Sequence, residues 1–345
     1  MKAAFLTGIR KMEIRDVPRP ESPGRGWVLL KTSMVGICGS DLHYFSDGRI
    51  GDQCVVFPFL MGHECVSVVD TVPSGKSPVG PGEVVVVDPA VSCGKCSQCQ
   101  SGRPHTCLNL KFMGAPAQMP GALSEYFTMP AENCYPVREE ISPKAAIMAE
   151  PLSIAIHAFR LLNSPQVRTI GILGSGPIGL SVLSESLKER GRSVYVTDRA
   201  DHRIDAAVRL GASWGGNPDR MGISDEILKR EPDGLDAVFE CCGDQDALDQ
   251  AVALLKPGGK LLIIGIPATG QIRMDIHTLR RKEINILNVR RQNNCMQAAV
   301  DRLRENPGLW DSLVTHVFGL EETGRAFETA AGHSDGVIKA VITFR

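Results

Sequence analysis

Cys93-x-x-Cys96-x-x-Cys99, followed by Cys107, places four thiols within fifteen residues. That spacing can close a tetrahedral zinc shell. Four protein ligands leave no position for water or substrate, so the pattern predicts a metal that stiffens a long loop and performs no chemistry. A redox pair at Cys93 and Cys96 would account for only two of the four thiols. A zinc ribbon on nucleic acid would need more cations than Lys95 and Arg103 nearby. Earlier in the chain, Cys38 and His63 offer one thiolate and one imidazole on separate segments. By residue type alone, each reads equally as a metal ligand or as a buried core residue.

A second chemical signal is Gly174-Ser175-Gly176-Pro177-Ile178-Gly179, which follows an apolar strand and opens a helix. In that setting Gly174 permits the tight turn, Gly176 lets a pyrophosphate approach the backbone, and Gly179 allows close helix–strand packing. The anion then rests on the positive end of the helix, at Pro177 and Ile178. Nineteen residues past Gly179, Asp198 ends a strand, where its carboxylate can accept bonds from the adenosine ribose hydroxyls and repel a 2′-phosphate. Arg199 could hold that phosphate, but with Asp198 beside it the pattern favours NAD over NADP. Arg203 is placed along the adenine face. Cys242 and Gly265, which follow two later strands, are further cofactor-contact candidates. A glycine-rich turn serving some other nucleotide is the competing reading.

The elements that must position these residues fall into two halves. Trp27–Val35, Cys65–Val72 and Glu83–Val87 are β-branched runs bounded by turn residues, which predicts a mainly antiparallel β domain. From about Thr169, strands at Thr169–Leu173, Ser193–Asp198, Leu235–Glu240, Lys260–Ile264 and Ile284–Val289 alternate with helices near Ile178–Arg190, His202–Leu210 and Asp244–Leu255. Strand–helix alternation calls for a parallel sheet covered on both faces. Glu150-Pro151 precedes a helical period, so Glu150 sits at a helix start near the domain junction. The expected division is a β-rich catalytic domain over residues 1–152 with a zinc lobe at 90–110, a nucleotide domain over 153–292, and a segment 293–345 packing back on the first.

Bulk properties agree with a small-molecule partner. The chain has 345 residues, 43% hydrophobic and 22% charged, with a net charge of -1, enough for two cores with a cleft between them. That balance provides no field for nucleic acid or an anionic membrane surface. No apolar run reaches a membrane span or a signal core, and the reading is cytoplasmic. The eleven cysteines then serve as ligands and small buried groups, not disulfides.

Cys38-Gly39-Ser40-Asp41, Gly62-His63-Glu64, the four-cysteine lobe, Glu150-Pro151 and the glycine fingerprint occur in the order found in zinc-containing medium-chain dehydrogenases. The resemblance runs nearly the whole chain. His43-Tyr44-Phe45, Gly48-Arg49-Ile50-Gly51 and Ala149-Glu150-Pro151-Leu152-Ser153 look most like the sorbitol and xylitol dehydrogenases. The resemblance implies an α/β chain with a Rossmann doubly wound parallel sheet and a mainly antiparallel GroES-like catalytic domain. It implies two zinc ions, one structural and one catalytic, with NAD as cofactor, and a homodimer or homotetramer.

Carried over by position, Cys38, His63 and Glu150 would hold the catalytic zinc, with a water in the fourth place and Glu64 beside it as an alternative ligand. Asp41 would orient His63. Ser40 would accept the alcohol proton and pass it through the cofactor ribose to His43; the competing role for Ser40 is a loop hydroxyl bonded to backbone. Tyr44, Phe57 and Phe112 would shape the substrate pocket or pack in the core. Arg290 and Arg291 would meet cofactor phosphate or a substrate hydroxyl. Ser67 and Pro73 stand where the family usually has glycine, and Arg290-Arg291-Gln292 differs from the Arg-Tyr pair common in sorbitol dehydrogenases.

The implied reaction moves a hydride from a secondary hydroxyl of a sorbitol-, xylitol- or galactitol-like polyol to NAD, giving the ketose. The alternatives are threonine or a cyclitol or amino-cyclitol as substrate, and a non-catalytic NAD-binding protein.

Overall fold

A computed structural model describes residues 1–21, 24–73, 75–138 and 140–344. The chain divides into two compact units, Met1–Glu150 with Asn293–Arg345, and Pro151–Gln292.

The first unit is organised around strand Trp27–Gly36, whose apolar residues leave little exposed. A strand of that composition must be covered on both faces, which places it inside a sheet. It pairs antiparallel with Glu64–Thr71 on one side, and with Tyr126–Pro130 and then Lys339–Thr343 on the other. The full sheet has seven strands, running Cys134–Pro136, Val84–Val87, Glu64–Thr71, Trp27–Gly36, Lys339–Thr343 and Val314–Gly319, with Tyr126–Pro130 beside Trp27–Gly36. Only the last pair, Val314–Gly319 with Lys339–Thr343, is parallel. Val28, Leu30, Val35, Phe45, Met61 and Phe127 form the centre of its core, each large side chain contributing roughly 1.5–3 kcal/mol by burial.

The second unit holds a six-stranded sheet in the order Trp214–Gly216, Ser193–Thr197, Thr169–Leu173, Leu235–Glu240, Leu255–Ile263, Asn285–Asn288. Every pair is parallel. The first strand in sequence lies mid-sheet, and the chain winds outward in both directions, the doubly wound Rossmann order. Its switch point falls between Thr169–Leu173 and Leu235–Glu240, and ligands of such sheets bind outside the carboxyl ends there. Among the described residues no helix is long and apolar enough to cross a membrane.

Candidate metal centres and nucleotide site

Strand Trp27–Gly36 ends two residues before Cys38, which caps helix Gly39–Asp47. The neighbouring strand begins at Glu64, registered opposite Gly36, so sheet pairing carries Cys38 and His63 to one place. Ligand atoms of Cys38, His63 and Glu64 all lie within 4.8 Å of one another. Asp41, fully buried, serves both halves of this cluster. One carboxylate oxygen accepts the Cys38 backbone N–H at 3.1 Å, and the other stands 3.6 Å from His63 Nδ1. The Phe112 ring lies against the imidazole, centroid to centroid 5.2 Å.

Glu150 was expected as third ligand and Glu64 as its substitute, but the close cluster contains Glu64 and not Glu150. Glu150 is buried at the start of helix Ala149–Leu162. Burial pushes its carboxyl up to about 7, against the pull of His63. Burial also works against a charged His63, yet Asp41 and Cys38 outweigh it and hold that imidazole well above its ordinary value. A buried donor set of this kind draws a cation, which suits a metal.

Lys339 is the residue the motifs did not reveal. It is 1% exposed, donates to the Ile37 carbonyl at 3.0 Å and pairs with Glu64 Oε2. Burial opposes its charge, but Glu64 and Cys38 keep the ammonium above its ordinary value. Gly36 makes room for the pair: a Cβ there would lie 2.4 Å from Glu64 Oε2 and 2.9 Å from Lys339 Cε. The available signal was one charged residue inside the apolar run Val337-Ile338-Lys339-Ala340-Val341-Ile342.

The four lobe cysteines also converge within 4.8 Å. Cys96 Sγ lies 3.6 Å from Cys99 and 3.7 Å from Cys107. Backbone N–H groups of Leu108 and Asn109 point at Cys96 and Cys107. The Lys95 N–H leads in pulling Cys93 down to about 6, while burial pushes Cys107 up to about 11. Four sulfurs so crowded cannot all ionise without a cation, and a zinc ion fits that requirement.

At the nucleotide fingerprint, Gly174 adopts φ +96°, and a Cβ at Gly179 would fall 1.9 Å from the Gly174 carbonyl. Gly176 differs, since a Cβ there would meet only Arg203 Nη1, at 3.6 Å. The protein itself does not need that glycine. An incoming pyrophosphate does, and the space fits one. Gly176 caps helix Pro177–Ser186, with Ile178 in its first turn. Asp198 accepts the Ser175 N–H at 2.7 Å and the Ala200 N–H at 2.9 Å. Arg203 therefore stands by the glycine turn at Gly176.

Cys242 and Gly265 reach the same edge: a Gly174 Cβ would lie 3.0 Å from Cys242 Cβ, and a Gly265 Cβ 2.2 Å from the Gly243 nitrogen. Fully buried Glu240, missed in the sequence, ties that turn by accepting Cys242 and Gly243 N–H groups at 2.7 and 2.5 Å. Exposed Arg290 and half-buried Arg291, the latter with φ +53°, follow strand Asn285–Asn288 at the carboxyl edge.

Ser40 and His43 sit on helix Gly39–Asp47, each half-buried, with His43 Nδ1 3.7 Å from Asp47. Tyr44 packs in the core, its ring edge-on to Phe59, whereas Phe57 is 38% exposed. Ser67 is an interior strand position opposite Thr32, where a side chain is accommodated.

Residues 24–139 match the family described as Alcohol dehydrogenase GroES-like domain, and residues 177–305 the family described as Zinc-binding dehydrogenase. The chain is 33% identical to a sorbitol dehydrogenase of Bacillus subtilis, over 99% of this chain and 97% of that protein. An Escherichia coli oxidoreductase/dehydrogenase of unknown specificity superposes with a TM-score of 0.92 at 29% identity, covering 100% of this chain and 99% of the other. A Sinorhizobium meliloti zinc-binding dehydrogenase bound to NADP superposes with a TM-score of 0.89 at 26% identity, covering 99% of each. On its two matched families, its near-complete relatives and its doubly wound sheet, this chain belongs to the zinc-dependent, NAD-linked medium-chain dehydrogenases, in their polyol branch.

Proposed function

We propose that the chain oxidises a secondary hydroxyl of a polyol of the sorbitol, xylitol or galactitol kind to the ketose, with NAD as hydride acceptor. The observation that carries this reading is the convergence of Cys38, His63 and Glu64 within 4.8 Å. A carboxylate as third ligand makes the site harder and more oxygen-seeking than one with a second cysteine, which suits a hydroxyl-rich substrate. Zinc supplies a Lewis acid that lowers the cost of deprotonating the hydroxyl, and NAD supplies the hydride acceptor.

Cys38, His63 and Glu64 hold the metal, with Asp41 fixing the imidazole and Glu150 as the neighbouring carboxyl. Ser40 takes the substrate proton. Ser40, His43 and Asp47 recur at helical spacing on Gly39–Asp47, so they share one face and lead toward its exposed end. That face provides a route for the proton outward. In the second unit, the helix start at Pro177 receives pyrophosphate and Asp198 the ribose hydroxyls.

NAD reduction should be followed with sorbitol, xylitol, galactitol, inositols and threonine on metal-replete protein. Turnover of at least one polyol is expected, and turnover of threonine alone would overturn the substrate class. A self-associated form is part of the proposal: among the described residues, strand Asn285–Asn288 pairs on one side only, and Ile272, Ile276 and Ile286 of the same stretch are exposed, an edge that a second copy would cover. A cytoplasmic setting is part of the same reading, because the thiolates of Cys38, Cys93, Cys96, Cys99 and Cys107 serve as metal ligands only where they are kept reduced.

A further inference from the structure

The fold accommodates NADP in one relative, so rejection of the 2′-phosphate must come from side chains of this chain. Asp198 is one source, by repulsion. Yet the next residue is Arg199, a cation placed where a 2′-phosphate could be neutralised. In this structure that cation is already engaged on three sides. Its Nε lies 3.4 Å from Asp219 Oδ1, its Nη1 3.4 Å from Asp244 Oδ2 and its Nη2 3.8 Å from Asp246 Oδ2.

These acids come from two other loops. Asp219 follows strand Trp214–Gly216, and Asp244 and Asp246 stand at the cap and first turn of helix Gln245–Leu254. The backbone is tied as well: Asn217 Nδ2 donates to the Arg199 carbonyl at 2.9 Å and to Asp201 at 2.8 Å. Asp201 in turn holds Arg220 at 2.5 Å, so the second nearby guanidinium is also matched by a carboxylate.

We propose that Asp219, Asp244 and Asp246 are cofactor-specificity residues, which turn the Arg199 guanidinium away from service as a 2′-phosphate receptor and so add a second barrier to NADP behind Asp198. Each of these ion pairs is solvent-exposed and contributes little to stability. Their effect lies elsewhere: three negative charges around one positive leave the local field negative, and a phosphate dianion must break them to reach the arginine. Removing Asp198 alone takes away the ribose acceptor without freeing the cation.

The inference rests on the NAD site proposed above, and the test separates the two. Dissociation constants of NADH and NADPH are measured by nucleotide fluorescence, at low ionic strength where exposed charges are least screened. The proteins are the wild type, Asp198→Ala, that variant with Asp219→Asn, Asp244→Asn and Asp246→Asn added, and the same fourfold variant with Arg199→Ala. Asparagine at position 244 keeps the helix cap.

Wild type that fails to bind NADH would remove the underlying nucleotide site. With NADH bound normally, Asp198→Ala should lose NADH affinity and gain little for NADPH. Freeing Arg199 should then tighten NADPH on the order of tenfold further, as a charge-assisted phosphate contact does, and Arg199→Ala should abolish the gain. A fourfold variant no tighter for NADPH than Asp198→Ala overturns the proposal, as does a gain that survives Arg199→Ala.

Discussion

Lys339 and Glu64 each carry a charge inside the seven-stranded sheet because each provides the other's counter-ion, 1% exposed in both cases. Breaking such a pair from one side leaves an uncompensated buried charge. Lys339→Met should therefore cost roughly 3–5 kcal/mol. The loss should be larger in chelator-stripped protein than in zinc-loaded protein, because a bound cation would take up the Glu64 charge. Urea unfolding with and without zinc measures this, and an equal loss in both forms would count against Glu64 as a ligand. The family resemblance implied Glu150 as third ligand with Glu64 as its alternative, and the clustering of Cys38, His63 and Glu64 within 4.8 Å favours Glu64 in the reading proposed above.

Within the parallel sheet, Asp236 on strand Leu235–Glu240 holds the start of strand Thr169–Leu173. Its carboxylate accepts the Arg168 and Thr169 N–H groups at 2.6 and 2.9 Å and pairs with Lys256. Burial works against that carboxylate, but the Lys256 ammonium and the two N–H groups prevail and lower its pKa. A lowered folded-state pKa means stability present above the unfolded value, about 3.9, and lost as pH falls through the folded one. Asp236→Asn should cost roughly 1–3 kcal/mol at neutral pH, with the gap from wild type shrinking below about pH 4. Denaturant midpoints at pH 7 and pH 3 decide it; an unchanged gap would refute the account. Strands of this unit were legible because apolar runs between turn residues mark them. Short, half-polar strands such as Lys11–Asp16 and Trp214–Gly216 were not, since too few apolar residues mark them.

For the whole molecule, the two cysteine-containing clusters should load independently, two zinc ions per chain in all. Cys99→Ser should lose one ion and destabilise the lobe while leaving the other cluster intact. Cys38→Ser should lose the other ion and lower turnover by on the order of a thousandfold, the several kcal/mol that a Lewis acid supplies. NADH binding should persist in both, because Gly174–Gly179 and Asp198 belong to the other compact unit. Elemental analysis, denaturant unfolding, a turnover assay and nucleotide titration check these statements in turn. Loss of both ions on either substitution would show that the clusters are not independent.

Sequence alone determined the four-cysteine lobe, the glycine fingerprint with Asp198 and the change from antiparallel to alternating strand–helix text. Each is local: the spacing lies within one loop or one strand–helix–strand unit, and that carries the geometry the chemistry needs. Tertiary structure decided what depends on long separations in the chain. Lys339 meets Glu64 through the pairing of Lys339–Thr343 and Glu64–Thr71 with Trp27–Gly36. Arg199 meets its three aspartates because parallel strands deliver their following loops to one edge of the sheet. Nothing in residue spacing encodes either meeting, since strand register brings together residues that local pattern leaves far apart.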